Sequence, residues 1–187
     1  MDKNTLIKYF LYLIPDARKR TAYLVKKKVF KEVGDNFVFF PRKIPQDPQF
    51  IRFHNNVAVA SEVLFVNHDI IHEMFNNLDD RQDGSPEIQK NWDCIEICDN
   101  VFLGSRSMIM PGVRLGPNVV VAAGSVVTKD FSGGVVIGGN PARVIGSMDD
   151  LVKKREAYSI SKPSGQTKEQ DADWAWSRWQ DQLETKK

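Results

Sequence analysis

From Ile97 onward the apolar positions recur every six residues. The units ICDNVF, LGSRSM, IMPGVR, LGPNVV, VAAGSV and VTKDFS each begin with an aliphatic residue: Ile97, Leu103, Ile109, Leu115, Val121 and Val127. The second position is mostly small (Cys98, Gly104, Gly116, Ala122), with Met110 and Thr128 as exceptions. The fifth is small or apolar (Val101, Ser107, Val113, Val119, Ser125, Phe131). Neither a helical period of 3.6 nor strand alternation produces a period of six. The pattern predicts one short strand and one corner per unit, three units closing a coil, with the aliphatic residue stacked down the axis on its equivalent one coil later. Turn-tolerant Asn100, Gly112, Asn118 and Gly124 fall where the chain must bend. The expected fold is all-β, a left-handed parallel β-helix in the form of a triangular prism, flanked by helical segments at both ends.

Shorter runs precede the main array. FHNNVA, VASEVL and FVNHDI are led by Phe53, Val59 and Phe65, and a weaker run starts at Val33. Pro41, Pro45 and Pro48 shift the register between them. The interval from Phe65 to Ile97 is not a multiple of six, so residues 71–94 are expected to leave the prism as a loop and return. A long insertion from a rigid solenoid is more often functional than incidental. The expected organisation is an N-terminal helical segment (1–32), a β-helix domain (33–146) and a C-terminal helical extension (147–187). That extension holds a helical pattern at 148–158, a flexible linker at 159–168, and a tail with Trp176, Trp179 and Leu183 on one helix stripe.

At 187 residues, with 42% hydrophobic positions and a formal charge of +2, the chain has room for one domain with accessory segments. The charge gives no case for a nucleic-acid partner. The apolar stretch Leu6, Ile7, Phe10, Leu11, Leu13, Ile14 is too short to span a bilayer and poor as a signal peptide. Packing on the main domain is favoured over contact of residues 1–31 with a membrane surface. Cys94 and Cys98 make neither a disulfide framework nor a four-ligand zinc set, and the expectation is two reduced thiols in a cytoplasmic protein.

The histidines are His54, His68 and His72, the last two in NHDIIHE where the loop departs. A neutral imidazole is matched to taking a proton from a hydroxyl near neutral pH. A second group must fix its tautomer, and Asp69 or Glu73 could supply it. Backbone N–H groups at a Gly-type corner suit a tetrahedral oxyanion.

The stretch NHDIIHE, followed by IEICDNVFLGSRSMIMPGVRLGPNVVVAAGSVVTKDFSGGVVIGGNPARVIG, resembles the maltose and galactoside O-acetyltransferases, and more closely their relatives from capsular and exopolysaccharide pathways. The resemblance spans about residues 33–150. It implies acetyl-CoA as acyl donor, a sugar or glycan hydroxyl as acceptor, no metal, and a homotrimer with CoA in the groove between prisms. It implies His68 as catalytic base and matches His72 and Glu73 to the family's second histidine and glutamate, with Asp69 remaining a candidate on its position alone. CoA contacts would fall on Ser105 (LGSRS), Ala123 (AAGS), Thr128 and Lys129 (VTKD) and Arg143 (NPARVIG). Lys129 and Arg143 would meet phosphates, and the Ser105 N–H the thioester or oxyanion. Asn67, His72 and Phe102 would line the acceptor pocket. Phe40 departs from the family, standing near the place of an acceptor-holding asparagine.

Two other readings compete. Three histidines could hold zinc, as in the γ-class carbonic anhydrases, although the spacing of His68 and His72 and the VTKD and NPARVIG stretches argue against it. The chain could also be a silent scaffold that binds a partner through its loop and Trp-rich tail, and the intact NHD and AAGS stretches argue against that.

Overall fold

The computed structural model describes residue 7 and residues 10–81 and 84–185. It falls into two compact units, residues 1–150 and 151–187.

In the first unit, residues 10–13 are helical and α1 (Ala17–Lys26) follows, its start fixed by Asp16 accepting from the Lys19 N–H at 2.8 Å. Then come β1 (Glu32–Val33), β2 (Val38–Phe39), a 3-10 turn (Pro48–Phe50), β3 (Ile51–Phe53), β4 (Val57–Val59) and β5 (Leu64–Phe65). A short helix α2 (Ile71–Asn76) lies in the loop. After it run β6 (Ile95–Ile97), β7 (Val101–Leu103), β8 (Met108–Ile109), β9 (Arg114–Leu115), β10 (Val119–Val121), β11 (Val126–Val127), β12 (Val135–Gly138) and β13 (Arg143–Ser147).

These strands make three sheets that the chain visits in turn. The first is ordered β1-β3-β6-β9, the second β2-β4-β7-β10-β12-β13 and the third β5-β8-β11. Pairing is parallel throughout, except between β12 and β13, an antiparallel hairpin that the six-residue pattern did not foretell. Ile97 pairs with Leu115, Val101 with Val119 and Ile109 with Val127, three six-residue units apart. The unit leaders from Ile97 to Val127 are all fully buried, as are Ser107, Val119 and Ser125 from the fifth positions. Burying each aliphatic leader contributes roughly 1.5–3 kcal/mol.

The bends are as regular as the core. Positive φ recurs at Asn56, Glu62, Asn100, Arg106, Gly112, Asn118 and Gly124. Along one edge the side chains of Asn36, Asn56, Asn100 and Asn118 form an amide ladder, with bonds of 2.6, 2.7 and 2.9 Å. On the outside of the first sheet Glu32, Arg52, Glu96 and Arg114 stand in register with alternating charge. Glu96 joins Arg52 at 3.2 Å, Arg114 at 2.8 Å and His54 at 2.9 Å.

The N-terminal segment packs on this unit. Ile7, Leu11 and Leu24 are buried in the common core, and the Thr21 hydroxyl accepts from the Phe39 N–H at 2.9 Å. Leu6 lies outside the described residues. No described helix is long and apolar enough to cross a membrane.

Helix α3 (Met148–Ser161) continues into the second unit, where α4 (Lys168–Glu184) starts at a Thr167–Gln170 capping box. The Tyr158 and Trp174 rings meet edge-on at 5.4 Å, and Lys162 pairs with Asp171 at 2.9 Å. The predicted stripe of Trp176, Trp179 and Leu183 is exposed within this unit.

Candidate active site

The loop leaves the third sheet after Phe65, and its first residues are tied down at once. Asn67 is buried. Its amide donates to the Asp47 carbonyl at 2.6 Å, and its own carbonyl accepts from the Asp93 N–H at 2.9 Å. His68 forms an isolated antiparallel bridge with Trp92, so the departing and returning strands of the loop meet at the histidine. Further out, the Asn76 side chain bonds both backbone groups of Ile88 and closes the loop's neck.

His68 Nδ1 lies 3.0 Å from Asp47 Oδ2 and 3.1 Å from Asn67 Oδ1. The His68 side chain is 10% exposed. Asp47 precedes the 3-10 turn at Pro48 but makes no capping bond there, which leaves its carboxylate free for the imidazole. Phe50 packs edge-on against Trp92 at 5.2 Å, and Trp92 stands 6.4 Å from the His68 ring, making an aromatic wall. Nδ1–H donating to Asn67 Oδ1, with the Asp47 carboxylate beside it as charge partner, leaves the lone pair on Nε2, the tautomer a general base requires.

The sequence had assigned the orienting role to Asp69 or Glu73, and here the structure corrects it. Asp69 Oδ1 accepts from the Ile71 N–H at 2.9 Å and opens α2. Glu73 is exposed and sits 3.5 Å from His72 Nε2, not on His68. Asp47 was missed because the proline-rich stretch breaks the six-residue count. One signal existed: Asp47 precedes Asn67 by 20 residues, the same interval that separates Asp35 from Asn55 on neighbouring coils. His72 is mostly buried at the start of α2, with Nδ1 unpartnered among the described residues.

Register places the remaining candidates. Phe65 pairs with Ile109 and Ile109 with Val127, so the turn that carries Asn67 and His68 is the one that carries Thr128 and Lys129 two coils later. At one strand spacing per coil this is a rise of roughly 10 Å. Leu103 pairs with Val121, so Ser105 and Ala123 share a different turn, at the other edge of the third sheet. That turn is tight: a Cβ on Gly104 would come within 2.5 Å of the Ala123 nitrogen. The Ser105 and Ala123 N–H groups take no backbone partner among the described residues, which suits them to bind an amide or oxyanion. Lys129 and Arg143 are exposed cations; Lys129 Nζ lies 5.4 Å over the Phe131 ring, and Arg143 Nη1 donates to the Ala142 carbonyl at 2.9 Å. These residues fit a long phosphorylated thioester: small residues and free N–H groups at one turn, cations further along. Phe102 is an exposed ring on the second sheet, between Ala58 and Val120.

The three histidines do not converge. His54 is held on Glu96. Among the described residues the one group of three potential ligands with ligand atoms within 4.8 Å is His54, Glu96 and Cys98. The two cysteines are free.

Comparison with known proteins agrees with this geometry. The bacterial transferase hexapeptide model (six repeats) matches residues 95–129. Protein CapG of Staphylococcus aureus is 46% identical over 103 residues, 55% of this chain and 56% of that protein. The 2,3,4,5-tetrahydropyridine-2,6-dicarboxylate N-acetyltransferase of Clostridium perfringens is 47% identical over 62 residues, 33% of this chain and 26% of that one. The solved structure of a galactoside acetyltransferase in complex with coenzyme A superposes with a TM-score of 0.56 at 27% identity, covering 80% of each chain. The chain thus spans a fifth to just over half of the length of the curated relatives it matches. It resembles the hexapeptide-repeat acetyltransferases, whose likeness implies a left-handed β-helix with helices.

Proposed function

We propose that this protein is an acetyl-CoA-dependent O-acetyltransferase acting on a sugar or polysaccharide-precursor hydroxyl in the cytoplasm. The observation that carries the reading is the Asp47–His68 pair at 3.0 Å. His68 Nε2 takes the proton of the acceptor hydroxyl as its oxygen attacks the thioester carbonyl. Asp47 holds the ring and stabilises the imidazolium that forms. The Ser105 N–H donates to the tetrahedral oxyanion. When the carbon–sulfur bond breaks, the imidazolium returns its proton to the departing thiolate, so no net proton is left on the protein.

The coil is read as a left-handed triangular prism and the working form as a homotrimer. Support comes from the separation of the parts. Within one chain, His68 and Ser105 stand at opposite edges of the third sheet, whereas a groove between two copies brings the His68 edge of one against the Ser105 and Ala123 edge of the next. Three-fold rotation then closes the assembly. Lys129 and Arg143 bind CoA phosphates in this groove, and Asn67, His72 and Phe102 border the acceptor.

A screen of sugar, sugar-phosphate and nucleotide-sugar acceptors with acetyl-CoA, read by thiol release and by mass of the product, tests the proposal. Acetyl ester on one acceptor class supports it. Release of thiol with no acetylated product from any hydroxyl acceptor contradicts it.

A further inference from the structure

A cleft of about 800 Å³ lies beside the first coils, between the N-terminal helical segment and residues 41–45. Tyr12 and Phe40 line it with exposed aromatic surface, and Arg20, Arg42 and Lys43 line it with positive charge. Glu62 is the acidic residue among its lining, and it is taken by Arg106 at 2.6 Å.

Arg20 is the informative member. It is 4% exposed, an uncommon place for a guanidinium. Its Nη atoms donate to the carbonyls of Ile14 (3.0 Å), Pro15 (2.7 Å) and Phe40 (3.2 Å), and its Nε is buried without a partner among the described residues. Those acceptors are neutral, and the nearby Asp16 carboxylate only partly offsets the charge. Burial pulls its pKa below the ordinary arginine value, and Arg42 adds to the effect. A buried cation beside two further cations, in a cleft whose one carboxylate is already paired, creates a strong positive potential.

From this cleft we infer that the protein binds the phosphate of an acceptor sugar ester, with Arg42 and Lys43 as its charge partners. A phosphate ester or pyrophosphate fits a cleft lined by three cations better than a single carboxylate does. The aromatic faces of Tyr12 and Phe40 suit the sugar or base attached to it. The place is right for an acceptor. Residues 41–45 run directly into Asp47, the partner of His68. Ser61, in the cleft wall, turns the same edge as Ser105 one coil earlier, because Val59 pairs with Leu103. This assignment rests on the acetyltransferase reading for the word acceptor, but the binding itself does not.

Calorimetry on the full chain without CoA provides the test, with UDP-glucose, glucose 1-phosphate and uncharged methyl glucoside as probes. The phosphate esters are expected to bind at least tenfold tighter than methyl glucoside. The double variant Arg42→Ala/Lys43→Ala, altered only at exposed positions, should lose about tenfold or more for the esters, while its CoA affinity stays within about twofold. Arg42→Lys/Lys43→Arg should recover most of the loss. Equal affinity for methyl glucoside, or an unchanged double variant, overturns the assignment. So does co-sedimentation with phosphatidylglycerol vesicles without affinity for the soluble esters, which would make the ligand a lipid headgroup. Because CoA is absent from these titrations, failure here is separable from failure of the acetyl-transfer reading.

Discussion

Asp47 Oδ2 lies 3.0 Å from His68 Nδ1, although the two residues belong to different coils and are separated by the first, proline-disturbed turn of the solenoid. The pairing sets a carboxylate from outside the repeat beside the proposed base, whose Nδ1–H is also held by Asn67 Oδ1. Asp47→Asn is expected to keep the fold and lower kcat by roughly 10- to 100-fold with little change in CoA affinity. Asp69→Asn, which touches only the start of α2, is expected to stay within about threefold of wild type. Steady-state kinetics on both variants check this, and the reverse ranking would return the orienting role to Asp69.

The Asn ladder yields a prediction about the fold alone. Asn100 bonds Asn56 and Asn118 at 2.7 and 2.9 Å and has φ of 59°. Asn100→Ala removes the ladder bonds and strains the backbone, and should cost about 1–3 kcal/mol in denaturant unfolding. Asn100→Gly relieves the strain and should recover part of that loss. Equal stability of the two variants would show that the left-handed turn costs alanine nothing.

Glu96 predicts the acid limb of stability. Its hydrogen bond from His54, with those from Arg114 and Arg52, holds its carboxyl down at about 2, against an ordinary value of 4.5. A depressed carboxylate contributes stability that is full above its unfolded value and is lost as pH falls toward its folded one. Stability should therefore decline between about pH 4.5 and 2. Glu96→Gln should flatten that slope and cost about 1–2 kcal/mol at pH 7, allowing for solvent screening. Unfolding curves at several pH values read both effects, and an unchanged acid slope in the variant would contradict the assignment.

Much of this architecture is visible in the sequence because a solenoid writes its core locally. Ile97, Leu103, Ile109, Leu115, Val121 and Val127 could be picked out by spacing, and each is fully buried. Asn100, Gly112, Asn118 and Gly124 disclosed the bends because their residue types tolerate positive φ. Glu62 and Arg106 adopt the same φ without advertising it; their side chains form an exposed ion pair at 2.6 Å between successive coils. Asp47 was hidden for another reason. Its partner is set by coil-to-coil register, and Pro41, Pro45 and Pro48 lengthen that coil beyond the six-residue count. The β12–β13 hairpin escaped because its strands reverse direction after the repeat has ended.

The proposed division of the site between subunits predicts complementation. Lys129→Ala and Arg143→Ala should each weaken CoA binding by about 1–3 kcal/mol in calorimetry. Each leaves the Asp47–His68 pair untouched. Mixing inactive His68→Ala with Ala123→Trp, which blocks the opposite edge, under conditions that exchange subunits, should restore part of the activity. Full activity from a monomer, by light scattering at the assay concentration, would contradict a shared site.

The most direct test of the central claim is the turnover of His68→Ala on the acceptor identified by the screen, measured as acetyl ester formed with CoA saturating. Loss of roughly two to four powers of ten in kcat, with CoA affinity preserved, is the predicted result. Turnover near that of the wild type would show that His68 is not the base.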